Sequence, residues 1–194
     1  LSSSSAASDV YKRQVLGVSQ LAALLVFPRF AAKFSRKKLY SAATVLVVIG
    51  YAVFFFAPMN MVPIAVAGVL LFVGQAFIQT LMLMFLADTI EYGQWKLGRR
   101  NDSITFSVQP FINKIGAAIA TGVVTVTLIV SGINRAETAQ DVTAQGLLIM
   151  KFAMMALPLL AILVGYVVYL RKYRIDAAYY NQILEELRQR GYIH

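Results

Sequence analysis

Residues 104–132, ITFSVQPFINKIGAAIATGVVTVTLIVSG, decide the fold class of this chain. At about 1.5 Å per residue the stretch is long enough to cross the ~30 Å hydrocarbon layer of a bilayer as one helix. It is apolar over most of its length and lacks the strict alternation of a half-buried strand. Lys114 lies about ten residues, or roughly 15 Å, from the basic end, close to the midplane of such a layer. An ammonium at that depth is too far in to snorkel, and facing it into lipid costs at least ~2.5–3.5 kcal/mol. Ser107, Lys114, Thr121 and Thr125 follow at spacings of seven, seven and four, so they share one helical face. A polar stripe of this kind must face protein or water. It marks Lys114 as a candidate on a transport or substrate path, the plainer role being an ion pair with a carboxylate on a neighbouring helix.

Working outward, four more apolar segments occupy 15–34, 40–57, 62–86 and 145–170. With 104–132 they predict an all-α polytopic membrane protein of five transmembrane helices, the first interrupted by Pro28 and Arg29. Composition agrees: 59% hydrophobic against 14% charged residues is the profile of a membrane bundle, not of a soluble domain. The net charge of +9 could suggest nucleic acid. Its placement excludes that partner, because the basic residues cluster in short connections between apolar runs. There is no cysteine, and the single histidine is His194, which excludes disulfides, thiolate sites and histidine-centred catalysis or metal binding.

The connections also set an orientation. Arg29, Lys33, Arg36, Lys37 and Lys38 lie between the first and second segments, Lys96, Arg99 and Arg100 between the third and fourth, and Arg171, Lys172 and Arg174 after the fifth. The alternate connections, APMNMVP and INRAETAQDVTA, carry at most one basic residue. The basic connections are therefore expected in the cytoplasm and the C-terminus with them, in a protein integral to a plasma membrane. Residues 1–14, LSSSSAASDVYKRQ, contain no apolar core and read as a non-native or disordered leader. An odd number of spans starting outside reads as a fragment. Residues 171–194 form a cytoplasmic tail with a short amphipathic helix, Asp176 as N-cap, Gly191 as stop, and Tyr180, Ile183, Leu184 and Leu187 on one side.

Two further clusters could carry function. Asp88 and Glu91 lie one turn apart at the inner end of the third segment, and Arg99, Arg100 and Asp102 follow just before the fourth. Opposed charges at adjoining helix ends can form an ionic latch that breaks as a bundle rocks open, or simply a solvated loop whose pairs are worth ~0–1 kcal/mol. Gln109 and Asn113 adjoin Lys114, and Gln75 and Gln79 share a face of the third segment. Amides and an ammonium suit sugar hydroxyls or a sugar carboxylate, and interhelical hydrogen bonding is the alternative for the glutamines. Pro110 is expected to loosen its helix, Lys151 to snorkel, Trp95 to anchor at an interface, and Gly68, Gly74, Gly116 and Gly122 to permit close helix packing.

The run LADTIEYGQWKLGRRNDSITFSVQPFINKIG strongly resembles the signature of the glycoside–pentoside–hexuronide:cation symporters of the major facilitator superfamily, and FPRFAAKFSRKKLY and MKFAMMALPLL are similar to further pieces of that family. The resemblance covers about residues 15–174. It implies helices eight to twelve of a twelve-helix transporter, a partial C-terminal six-helix bundle. It implies that Lys114 and Gln109 lie at or near a sugar site, with Asp88, Glu91 and Arg100 in a cytoplasmic charge network. It also implies that the coupling ion, Na⁺ or H⁺, binds on the missing N-terminal half, so no cofactor or metal site is expected here. Gln79 stands where one member places an aromatic around its sugar, and Glu91 where that member has aspartate. The expected function is sugar uptake by alternating access, with a sugar or glycoside, the lipid bilayer and the N-terminal half as partners. The alternatives are a membrane scaffold or regulatory subunit, a related carrier of lipid or organic anions, and, last, an intramembrane enzyme.

Overall fold

Helix follows helix because a long apolar run in lipid leaves its backbone polar groups no partners but those of its own segment. The structure, a computed structural model, describes residues 17–18, 21–57, 61–135 and 141–192. The regular structure among these residues is helical. Residues 21–33 form α1, followed by α2 (Arg36–Phe56), α3 (Met61–Leu97), α4 (Asp102–Val130), a single 3₁₀ turn at Ile133–Arg135, α5 (Ala144–Lys172) and α6 (Ala177–Gln189). Helices α2 to α5 are each long and apolar enough to cross a membrane. The all-α, membrane-spanning class expected above is the observed one. Of the first expected segment, α1 accounts for 21–33 and runs on through Pro28, and the leader at 1–14 lies outside the described residues.

Two boundaries differ from the sequence reading. Arg36, Lys37 and Lys38 are the first turn of α2 rather than loop, and α3 continues past residue 86 to Leu97. Both differences have one cause: charge marks where a helix leaves lipid, not where it stops. Nothing between Leu86 and Leu97 breaks a helix, and Gly98, at φ +67°, is the first residue to take the left-handed conformation that ends one.

The described residues fall into two compact units, one reaching Gly98 and resuming at Tyr173, the other Arg99–Lys172. In the first, α2 and α3 are antiparallel: Gly50 meets Leu71, Val47 and Ala43 meet Gly74, Tyr40 meets Phe85, and Arg36 meets Asp88. The buried residues of α2, Leu39, Tyr40, Ala43, Thr44, Val47 and Gly50, recur at three- and four-residue steps, a stripe of mostly small side chains. A Cβ on Gly74 would sit 2.6 Å from a Val47 methyl carbon, so this glycine sets the helix separation, as expected of it. Among the described residues, a Cβ on Gly68, Gly116 or Gly122 would meet nothing within 4 Å. Phe27 and Phe30 of α1 pack edge-on against Phe77 of α3, at 5.2 and 5.9 Å between ring centroids.

In the second unit α4 and α5 form a hairpin. Gly132, at φ +73°, ends α4, and the Thr143 hydroxyl accepts from the Gly146 amide at 3.0 Å to cap α5. Pro110 and Pro158 lie inside α4 and α5, which continue through them.

Candidate functional site

The polar residues that follow the apolar run of α3 come at one-turn intervals, so Asp88, Glu91 and Trp95 line one side of a helix that continues beyond the lipid-length segment. Asp88 is only 2% exposed. Arg36, the first residue of α2, forms an ion pair with its Oδ1, and the Tyr173 hydroxyl donates to its Oδ2 at 2.9 Å. The Tyr173 ring packs against Phe85 at 4.8 Å, and Phe85 meets Tyr40 edge-on at 5.8 Å. The α2 N-terminus carries no acidic residue in its first turn, and basic residues there oppose the helix dipole. Asp88 brings the missing negative charge from α3.

Desolvation largely cancels the attraction of such a buried pair, so its net stabilisation is small while the loss of one partner is costly. The Arg36 guanidinium also lies 4.9 Å from the centroid of the Tyr180 ring, a cation–π contact. Burial, with the hydrogen-bonded Glu91 carboxylate and the charge of Asp88 behind it, pushes the Tyr180 phenol up to about 12 against the opposing pull of Arg36. Tyr180 therefore keeps its proton and can donate a hydrogen bond throughout the physiological range.

Below this cluster α6 is fastened to α3. Asp176 caps α6 through the Tyr179 amide at 2.8 Å, and Ile183 and Leu187 are fully buried. Trp95 Nε1 donates to Glu186 Oε2 at 2.7 Å, and Arg190 donates to the Trp95 carbonyl at 2.9 Å. The hydrogen bond from Trp95, then that from Gln182 and the charge of Arg190, hold the Glu186 carboxyl below its ordinary range. Docking thus favours the ionised form, and its contribution is present above pH 4.5 and fades as pH falls below that value. Trp95 is the only tryptophan of the chain. Its fluorescence is expected to stay constant from pH 8 to 5 and to change only below 4.5, and Glu186→Gln should remove that acid transition.

The stripe on α4 belongs to the other unit. Ser107, Thr121 and Thr125 bond back to carbonyls of their own helix, at 2.8–2.9 Å, so their hydroxyls need no external partner. Asn113 and Lys114 are exposed and Gln109 half-buried. Gln75 and Gln79, on α3 in the first unit, are exposed one turn apart. Arg100 Nε pairs with Asp102 Oδ2 at 2.7 Å, each 45% exposed, a contact worth ~0–1 kcal/mol that also places a carboxylate at the α4 N-terminus.

Asp88 and Glu91 thus share a cluster with Arg36, Tyr173 and Tyr180, which the sequence reading did not assign to it. Arg36 had a signal, a basic residue at the end of α2 that faces Asp88 once the helices are antiparallel. Tyr180 was marked only as part of the apolar side of the tail helix and Tyr173 not at all, since their contacts depend on the chain returning to α3 after α5.

Comparison with known proteins adds an independent line. The family model described as MFS/sugar transport protein matches residues 12–177. The raffinose carrier protein of Pediococcus pentosaceus is 34% identical over 169 residues, 87% of this chain and 26% of that protein. A lactose permease of Lactobacillus delbrueckii subsp. bulgaricus is 31% identical over 161 residues, 83% of this chain and 26% of that protein. A putative sulfoquinovose importer of Escherichia coli K12 is 30% identical over 88% of this chain and 36% of that protein. The chain therefore spans about a quarter to a third of the length of these relatives.

Proposed function

Because the chain belongs to the MFS/sugar transport protein family, we propose that it is the C-terminal part of a secondary active transporter that takes up a sugar or glycoside by alternating access. The observation that carries this reading is the Arg36–Asp88 pair, a buried ionic contact between the ends of two spanning helices. Contacts that are costly to break singly and near neutral overall are suited to a two-state gate. Asp88 and Glu91 hold the inner gate, and Arg100 and Asp102, at the start of the next helix in the sequence, are further candidate charges for it. Lys114, Gln109 and Asn113 on α4 supply an ammonium and amides suited to hydrogen-bonding a sugar, and Gln75 and Gln79 on α3 are separate candidate amides for the same cargo. Relatives named for raffinose, lactose and sulfoquinovose support a sugar as cargo.

The coupling ion, Na⁺ or H⁺, is held by carboxylates in the rest of the transporter, and no covalent chemistry is involved. The protein lies in the plasma membrane with its basic connections and C-terminus in the cytoplasm.

The test is an uptake screen in membrane vesicles carrying the full-length transporter, with sugars, organic anions and lysolipids as cargo. Sugar uptake driven by an Na⁺ or H⁺ gradient is expected. Lys114→Ala should weaken it by about ten- to a hundredfold, the loss of a charged hydrogen bond to substrate. Lysolipid uptake without sugar uptake would overturn the reading.

A further inference from the structure

We propose that α6 is a strap closing over the basic end of α2 and α3, and that Tyr180 is the positioning residue through which its docking sets the Arg36–Asp88 pair. The inference deepens the proposed function, resting on that pair being an inner gate. Both aromatic partners of the pair come from one short stretch. Tyr173 donates to Asp88, and Tyr180 lies under Arg36, so the segment 173–180 supplies a contact to each member of the pair. The Asp176 cap lies between them and fixes where α6 begins.

Docking of this segment is specified, not merely apolar. Ile183 and Leu187 are fully buried, and Trp95 meets Glu186 through its side chain and Arg190 through its carbonyl. With α6 docked, Arg36 is gripped between the Asp88 carboxylate and the Tyr180 ring. With α6 released, Arg36 loses the ring, and Asp88 loses the anchor that holds Tyr173 in place. A buried carboxylate and its guanidinium then have fewer partners, and separation of α2 from α3 at this end becomes easier. The tail is in this sense a brake on opening, applied by docking and relieved by undocking.

The test uses the 194-residue chain in lipid nanodiscs, with amide hydrogen exchange read segment by segment and Trp95 emission as a separate report of docking. Leu187→Asp puts a charge at a buried position of α6 without touching the pair. It should shift Trp95 emission to the red and speed exchange about tenfold or more at residues 183–189 and also at 39–43 of α2. Tyr180→Leu should speed exchange at 39–43 while leaving 183–189 and Trp95 emission near their starting values. In the double variant, exchange at 39–43 should be no faster than in the more affected single variant. Should Leu187→Asp not fold, Glu186→Gln with Arg190→Ala loosens the same docking more gently, and the same two segments should respond. Faster exchange confined to α6, with 39–43 unchanged, would overturn the proposal, as would an unchanged 39–43 in Tyr180→Leu. Exchange does not depend on cargo, so failure of the transporter reading would show in the uptake screen and not in this result.

Discussion

Replacing Arg36 with leucine is expected to destabilise the α2–α3 pairing by about 3–5 kcal/mol, the cost of leaving a buried carboxylate without its counter-charge. Asp88, at 2% exposure, has no route to water, and the Tyr173 hydroxyl supplies one hydrogen bond but no charge. The Arg36 side chain is 34% exposed against 2% for Asp88, so the reciprocal change, Asp88→Leu, should cost less. The double variant Arg36→Leu with Asp88→Leu should recover most of the loss, since an apolar pair removes both desolvation penalties. Denaturant or thermal unfolding of the four proteins in one detergent would measure the cycle. Additive losses would show that the two residues act separately. On the gate role proposed above, the same double variant in a full-length transporter should be stable yet impaired in transport.

Gly146 is the second position where a small change should have a large effect. A Cβ there would lie 2.3 Å from the Ser131 carbonyl oxygen and 3.1 Å from the Thr143 hydroxyl. The first neighbour is backbone at the end of α4 and cannot rotate away as a side chain would. The second is the cap of α5, whose loss alone costs about 1 kcal/mol. Gly146→Ala is therefore expected to cost about 3 kcal/mol or more, and Gly146→Val more still, through forced separation of the hairpin. Gly122→Ala makes the control, since nothing lies within 4 Å of its Cβ position and alanine is the better helix former. Midpoints from thermal unfolding in nanodiscs should fall sharply for Gly146→Ala and hold or rise for Gly122→Ala.

The class of fold was legible from apolar run length alone, because length against bilayer thickness is a one-dimensional test. The termini were less so. The basic run before Tyr40 and the acidic run after Leu86 read as loops, since a cluster of charge looks like the end of a helix. In fact Ser35 and Gly98 end the elements, and the charges ride on helix. Asp88 was identifiable because it stands where apolarity stops. Of its partners, Arg36 carried only the signal of a basic residue at a helix end, and Tyr173 meets it across a long stretch of chain. Of the glycines, Gly74 was identified and Gly50 and Gly146 were not, since which glycine faces a neighbour depends on a helix rotation that spacing does not report.

The uninterrupted course of α3 has a mechanical consequence. Residues 62–86 suffice to cross the bilayer, and the remaining eleven or so residues extend about 16 Å beyond it along the same axis. With no break from Met61 to Leu97, the helix is a lever with its fulcrum in the membrane. A tilt of about 10° in the lipid-embedded part displaces the far end by roughly 3 Å, comparable with a hydrogen-bond length. Asp88 sits near the pivot and Trp95 near the tip. A rotation too small to disturb the first can thus be large enough to pull the second away from Glu186, so contacts along one rigid rod are released in order of their distance from the membrane.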